Sequence, residues 1–276
     1  MDDEMSEAAG LCCRGLDKHF GALHVTCGLD LDVRPGQVHA LIGPNGAGKT
    51  TALAQLSGEL RSDAGTVQLD GRDITELSLP DRVRAGIARS YQISSFFPGF
   101  TVRENVELAL QATAGHSFRF LRPARMNFSR VTAAGELLDR VGLAGIADAS
   151  AASLAHGQTR QLEIAMALAS DPTIVLLDEP MAGMAPDEAH QLTDLIIQLG
   201  SEVGVLLVEH DMDIVFSVSA VITVLDQGRT IAEGTPADIR ADARVQQLYL
   251  RETSGEPGGQ AVADDPAHEE GRDASG

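Results

Sequence analysis

Short runs of consecutive apolar residues alternate along this chain with longer stretches whose apolar residues recur every three to four positions. The run VHALIG (residues 38–43) leads into a helical pattern that opens at Gly48. TIVLLDE (173–179) leads into one that opens at Pro186, and VGVLLVEH (203–210) into a third. Strands apolar on both faces suit a parallel sheet, because crossover helices cover both of its sides. The alternation therefore predicts an α/β fold with a mainly parallel sheet core. Residues 29–38 and 66–77 interrupt it. They read as antiparallel strands with tight turns at Arg34-Pro35-Gly36 and Asp70-Gly71, a small antiparallel β-layer beside the core. Residues 93–169 read as an inserted helical subdomain, with no convincing strand and no internal repeat.

The two ends differ from the middle. Residues 1–10 and 251–276 are rich in Gly, Ala, Pro, Asp and Glu and poor in large apolar side chains. Such segments bury too little to offset the entropy of ordering, so both are expected to be mobile tails, the C-terminal one acidic. The expected domain is residues 11–250, with 11–92 and 170–250 forming the core and β-layer around the insertion.

Composition narrows the function. The chain has 276 residues, 43% of them apolar, enough for a substantial core. Its 21 Lys and Arg against 40 Asp and Glu give a formal net charge of −19, a field that repels nucleic acid, so no nucleic-acid partner is expected. The N-terminal MDDEMSEAAG lacks the positive charge and apolar run of a secretory signal, and no stretch approaches the roughly 20 apolar residues that span a bilayer. A cytoplasmic protein is expected. Cys12, Cys13 and Cys27 have neither paired CxxC spacing nor an even count, and read as thiols without a disulfide or zinc site.

Two motifs carry chemistry. Gly43-Pro44-Asn45-Gly46-Ala47-Gly48-Lys49-Thr50 fits G-x-x-x-x-G-K-[ST] and stands between a strand pattern and a helical one, the context the motif requires. Its glycines let backbone N–H groups point into a phosphate nest at a helix start. Lys49 is expected to reach the β- and γ-phosphates of ATP, the Thr50 hydroxyl to ligate Mg²⁺, and Thr51 to complete the nucleotide-binding set. The second motif is Asp178-Glu179-Pro180 at the end of an apolar strand, where ligand crevices open in such sheets. Successive strand residues face opposite ways, so Asp178 is expected to serve the Mg²⁺ and Glu179 a water in line with the γ-phosphate.

What lies between these motifs resembles one family of phosphate-loop ATPases. Leu154-Ala155-His156-Gly157-Gln158, followed by TRQLEIAMALASDP, resembles the signature segment of ABC ATPases. Ile87-Ala88-Arg89-Ser90-Tyr91-Gln92 resembles the approach to the family's glutamine loop, and VLLVEHD (205–211) its switch strand. The resemblance covers about residues 10–250 in the family's order. It implies a P-loop NTPase (RecA-like) fold, with Gln92 sensing Mg²⁺ or the attacking water, His210 holding the γ-phosphate and Phe20 stacking on adenine. Taken without these neighbours, Phe20 reads equally as a core ring, Gln92 as a loop residue and His210 as a strand-end polar group.

The resemblance also implies a second ABC cassette, identical or paralogous. Each signature segment would close over the other chain's ATP through Ala155, His156, Gly157 and Gln158. Three places depart from the family: Ala155 stands where a serine is usual, His156 where a glycine is, and Met184-Ala185-Pro186 where an aspartate is often found after the acid pair. The strings MAGMAPDE (181–188), ARSYQISSFFPGFTVRENVELAL (88–110) and GTPADIRADARVQQLYL (234–250) resemble the ATPases of branched-chain amino-acid importers, the longer of their two types. Urea or short-chain amide importers and non-transport ABC ATPases remain alternatives. Transmembrane permease subunits and, indirectly, a periplasmic or extracellular substrate-binding protein are the implied partners, placing the chain at the inner face of the membrane. Phe96, Phe97 and Phe100 are expected to help receive a permease helix. Arg119, Arg122, Arg125 and Arg130 form a basic segment that could face anionic headgroups or an acidic patch, or stand in a solvated loop.

Overall fold

The computed structural model describes residues 10–90, 96–113 and 125–254, without the side chains of 125–128 and 250–254. Two sheets form the core. One is six-stranded and contains, from edge to edge, β10 (Arg229–Gly234), β9 (Val221–Asp226), β3 (Val38–Ile42), β8 (Gly204–Val208), β7 (Ile174–Asp178) and β6 (Ile87–Ser90). All its pairings are parallel except that of β10 with β9. The central strands β3, β7 and β8 are buried along their whole length, as their uninterrupted apolar runs require.

The second sheet is antiparallel, in the order β2 (Leu23–Val33), β1 (Leu11–Phe20), β4 (Ala64–Leu69) and β5 (Arg72–Asp73). Asp70-Gly71 closes the β4–β5 hairpin, with both residues at positive φ. The expectation for Arg34-Pro35-Gly36 is corrected: this turn links β2 to β3, which lie in different sheets. A Pro-Gly pair fixes a tight reversal but does not say which strands will pair. β1 is a strand the apolar pattern hid. Its register shifts at Cys13/Leu16, Leu16/Asp17 and Lys18/His19 break the two-residue alternation that would have marked it.

Helices cover the large sheet. α1 (Lys49–Ser57) follows β3, and α2 (Leu79–Ala85) precedes β6. Between β6 and β7 stand α3 (Val102–Thr113), α4 (Arg125–Arg140) and α5 (His156–Leu168), with two short 3₁₀ turns between α4 and α5. α6 (Pro186–Glu202) connects β7 to β8, and α7 (Met212–Val218) follows it. α8 (Pro236–Ala241) and α9 (Ala243–Ser254) close the chain. One apolar cluster joins the inserted helices to the sheet through Val102, Leu138, Leu162, Val175 and Leu207. A second joins the two sheets through Leu16, Leu29, Leu41, Leu53 and Leu176.

α9 runs to Ser254 and so covers the first four residues of the expected tail; helix breakers first occur at Gly255 and Pro257. The proposed tails beyond residues 10 and 254 lie outside the described residues. No described helix is long and apolar enough to cross a membrane.

Candidate nucleotide site

The phosphate loop joins the buried central strand β3 to α1, so a strand end and a helix start hold it from both sides. Gly48 caps α1 at φ 101°, and Gly43 has φ 148°. A Cβ at Gly43 would stand 2.1 Å from the Leu225 carbonyl, and one at Gly48 would stand 2.5 Å from the Val25 carbonyl. Both glycines are therefore required by close backbone approach as well as by dihedral. Ala47 is buried, whereas Pro44 and Asn45 lie toward the surface and Gly46 takes φ 80°. Lys49 is 8% exposed and its Nζ donates to the carbonyls of Gly43 (2.6 Å) and Pro44 (3.0 Å), which places the ammonium inside the loop's curl. Thr50 is exposed and Thr51 half-buried in the first turn of α1.

The contact at Val25 brings the β1–β2 hairpin against the loop, and the hydroxyl of Thr26 donates to Gln55 of α1 at 2.9 Å. Phe20 ends β1 at the tip of that hairpin with a 53% exposed ring, and Lys18 Nζ lies 5.8 Å from its centroid. The core-ring alternative for Phe20 is thereby excluded.

Asp178 ends β7 and is buried. Burial lifts its carboxyl above the ordinary range, and Arg89 on β6 opposes that lift through an Nη2–Oδ2 contact of 3.0 Å. Arg89 also binds Glu59 Oε2 at 2.6 Å, so it ties the loop after α1 to the strand ends. Asp178 Oδ1 is buried with no hydrogen-bond partner. An unsatisfied carboxylate oxygen within electrostatic reach of Lys49 fits a hard cation such as Mg²⁺. Among the described residues no cluster of three or more His, Cys, Asp or Glu could hold a metal alone. Such an ion would rest on Asp178, Thr50 and phosphate oxygens brought by the nucleotide.

Glu179 corrects the strand argument. β7 stops at Asp178, and Glu179 takes φ 46°, in the left-handed region that side chains disfavour. Its N–H donates to the Val208 carbonyl at 2.8 Å and its carbonyl accepts from Ala182 N at 3.2 Å. A strained turn, and not strand alternation, separates the two carboxylates. His210 lies two residues past the end of β8, with its side chain 67% exposed. Between β8 and His210 stands Glu209, whose carboxyl is raised above its ordinary range by burial and feels the charges of both Glu179 and His210. Glu209 carried no motif and escaped the sequence reading. Gln92 lies outside the described residues.

The signature segment starts α5. Ala155 is its N-cap, and Gln158 Oε1 accepts from Ala155 N at 3.0 Å, half of a capping box whose other half needs a hydroxyl that alanine lacks. His156 Nε2 lies 3.1 Å from the Ala182 carbonyl, and Gly157 N donates to Glu188 Oε1 at 3.4 Å. Ala155, Gly157 and Gln158 line a small recess with Gln161, Glu188, Gln191 and Leu192. That recess shares no residue with the phosphate loop, and the signature tethers itself to the turn after Glu179 instead.

The phenylalanine loop divides. Phe96 packs on the core, while Phe97 and Phe100 are 56% and 42% exposed with ring centroids 5.7 Å apart. Buried Asn105 holds their backbone, accepting from Phe97 N at 2.7 Å. Arg119 and Arg122 of the basic segment lie outside the described residues. Arg130 donates to Gln111 Oε1 at 3.2 Å, which turns it toward α3.

A strand-to-helix phosphate nest after β3, a buried aspartate ending β7 two strands away and a separate signature helix together define a cassette-type ATPase. Comparison with known proteins agrees. The ABC transporter family model matches residues 27–182, and a model described as branched-chain amino acid ATP-binding cassette transporter matches residues 229–250. The high-affinity branched-chain amino acid transport ATP-binding protein BraF of Pseudomonas aeruginosa is 40% identical over 245 residues, covering 86% of this chain and 96% of that one. LivG of Escherichia coli, of the same description, is 36% identical over 249 residues, covering 88% and 98%. Among solved structures, an ATP-binding cassette of an ABC transporter in its ADP conformation superposes with TM-score 0.77 at 29% identity, covering 89% and 98%. A nucleotide-free cassette gives 0.76 at 28% identity, covering 87% and 98%. The chain belongs to the ABC transporter family. It is an ATP-binding ATPase.

Proposed function

We propose that this chain is the ATP-hydrolysing subunit of an importer for branched-chain amino acids. The observation that carries the reading is the 40% identity to BraF across 96% of that protein. The match of residues 229–250, from β10 through α9, to the branched-chain cassette model supports it at the other end of the chain.

Within the site, the loop from Gly43 to Thr50 receives the phosphates, Lys49 neutralises them and Phe20 offers its open face to adenine. Thr50 and Asp178 would hold Mg²⁺, with Gln92 from the glutamine loop beside them. Bound there, such an ion would supply neutralisation of the phosphate charge. Glu179 accepts a proton from the attacking water, and His210 holds the γ-phosphate and orients Glu179. Ala155, His156, Gly157 and Gln158 serve the ATP of a partner cassette, because in one chain their recess is separate from the phosphate loop. A lone copy is then a poor ATPase.

Permease subunits are the membrane partners, and they hold the chain at the inner face of the membrane. Phe97 and Phe100 form part of the surface that receives them. The substrate-binding protein acts through the permease and makes no contact with this chain.

The test is Glu179→Gln. Removing a general base should lower the hydrolysis rate by about 10² to 10⁴ while ATP binding persists, and ATP should then trap a stable pair of cassettes. Wild-type turnover by this variant overturns the assignment. Uptake of radiolabelled leucine into vesicles carrying the assembled transporter tests the cargo: no ATP-dependent leucine uptake overturns the branched-chain reading.

A further inference from the structure

Glu209 stands between the last residue of β8 and His210. It is 1% exposed, and both its carboxylate oxygens are used by backbone. Oε1 accepts from Met181 N at 3.0 Å and Oε2 from His210 N at 3.2 Å, with the His210 ring Nδ1 3.6 Å from Oε2. The fold does not need this arrangement. β7 and β8 are already laddered from Ile174 and Gly204 to Asp178 and Val208, and Glu179 N extends the ladder to the Val208 carbonyl. Among the described residues no Lys or Arg pairs with it, and a buried carboxylate so placed is expensive, where an apolar residue would cost the fold less.

What the carboxylate joins are two functional segments. Met181 lies two residues after Glu179, across the rigid Pro180, and His210 follows Glu209 directly. We propose that Glu209 is a positioning residue for ATP hydrolysis, clamping the turn behind Glu179 to the backbone of His210 so that general base and γ-phosphate histidine hold one geometry. The same turn carries Ala182, whose carbonyl meets His156 Nε2, so the clamp extends to the start of the signature helix. The inference rests on Glu179 and His210 acting on the γ-phosphate, and it adds the residue that couples them.

Glu209→Gln tests it with little change of shape. The amide offers one acceptor oxygen and turns an NH₂ group against the other backbone N–H. A shift of the base by an ångström can cost about 10² in rate, so kcat should fall at least about ten-fold while KM for ATP stays within about two-fold. ATP affinity and the melting temperature, measured on the same preparation, should stay near wild type.

A pH profile adds a readout that a structural role would not move. Falling pH protonates Glu209 and removes an acceptor, and burial brings this on at higher pH than for an ordinary glutamate. The wild-type kcat should therefore carry an acid limb that the glutamine variant lacks. Glu179, His210, His190, Asp211 and Asp213 also face or line this cavity in both proteins.

Wild-type kcat with an unchanged acid limb in Glu209→Gln overturns the proposal. So does a variant that loses its cooperative melt, or one whose kcat per folded molecule is preserved, because either assigns the carboxylate to stability. Glu179→Gln, run in parallel, separates the two claims. If it hydrolyses ATP normally, the reading of the site fails; if it is inactive while Glu209→Gln is normal, only the positioning role fails.

Discussion

The carboxylate of Glu188 sits across two helix starts, accepting from Gly157 N at 3.4 Å and from Ala185 N at 3.3 Å. A negative charge thus already occupies the positive end of the signature helix α5, where a γ-phosphate from a partner cassette would arrive. Removing that charge should favour pairing. In a Glu179→Gln background, Glu188→Gln should lower the ATP concentration needed for dimer formation by about two- to five-fold, read by size-exclusion chromatography across an ATP titration.

The glycines of the phosphate loop make a steric prediction. Gly48→Ala would set a Cβ 2.5 Å from the Val25 carbonyl at a φ of 101°. The strain should destabilise the fold by roughly 1–3 kcal/mol, with the melting temperature falling about 2–4 °C for each kcal/mol. ATP affinity should fall with it, because the α1 start and the β1–β2 hairpin would be forced apart. Gly46→Ala meets no neighbouring atom within 4 Å, so only its φ of 80° opposes it, and it should cost less.

Arg89 counters the buried charge of Asp178. Arg89→Met removes the cation and leaves the carboxylate in place, a change that typically costs about 3–5 kcal/mol for a buried pair. Urea denaturation should record that loss at neutral pH. It should shrink as pH falls, since protonating Asp178 relieves the uncompensated charge.

His39 gives a pH prediction of the opposite origin. It is fully buried, with Nδ1 2.9 Å from the Asp32 carbonyl and Nε2 2.8 Å from Thr223 Oγ1, and burial holds its pKa below the usual histidine value. The unfolded chain takes a proton near pH 6.5 that the folded state resists, so stability should decline as pH falls through about 6.5. His39→Gln should flatten that decline between pH 7.5 and 5.5, measured by urea denaturation at each pH.

Phe97→Asp should leave ATP binding by the isolated subunit unchanged, because the ring is exposed and its backbone is held by Asn105. ATP-driven uptake by the assembled transporter should fall. Unchanged uptake would remove this loop from the permease interface.

The strands that the sequence revealed are those whose environment is uniform. β3, β7 and β8 are buried on both faces, and their apolar runs and the motifs at their ends could be read directly. β1 was hidden because its bulges scramble the alternation, and β6 because four residues ending in Arg89 and Ser90 make too short a run. Turn chemistry at Arg34-Pro35-Gly36 located a reversal but misassigned its partners, since sheet membership is decided by packing far from the turn. Lys49, Asp178 and Glu179 stand out in the sequence because each lies in a short motif whose local spacing suits phosphate chemistry. Glu209 was not, because its importance lies in which backbone groups fold around it.

The left-handed φ of Glu179 bears on how this protein would change under selection. Glycine there would relax the turn and should raise the melting temperature while abolishing hydrolysis. A laboratory selection for heat tolerance that ignored transport would discard the glutamate early, and the surviving proteins would be sturdier and inert. On the role proposed for Glu179, the site's reactivity and the molecule's endurance pull against each other at a single residue.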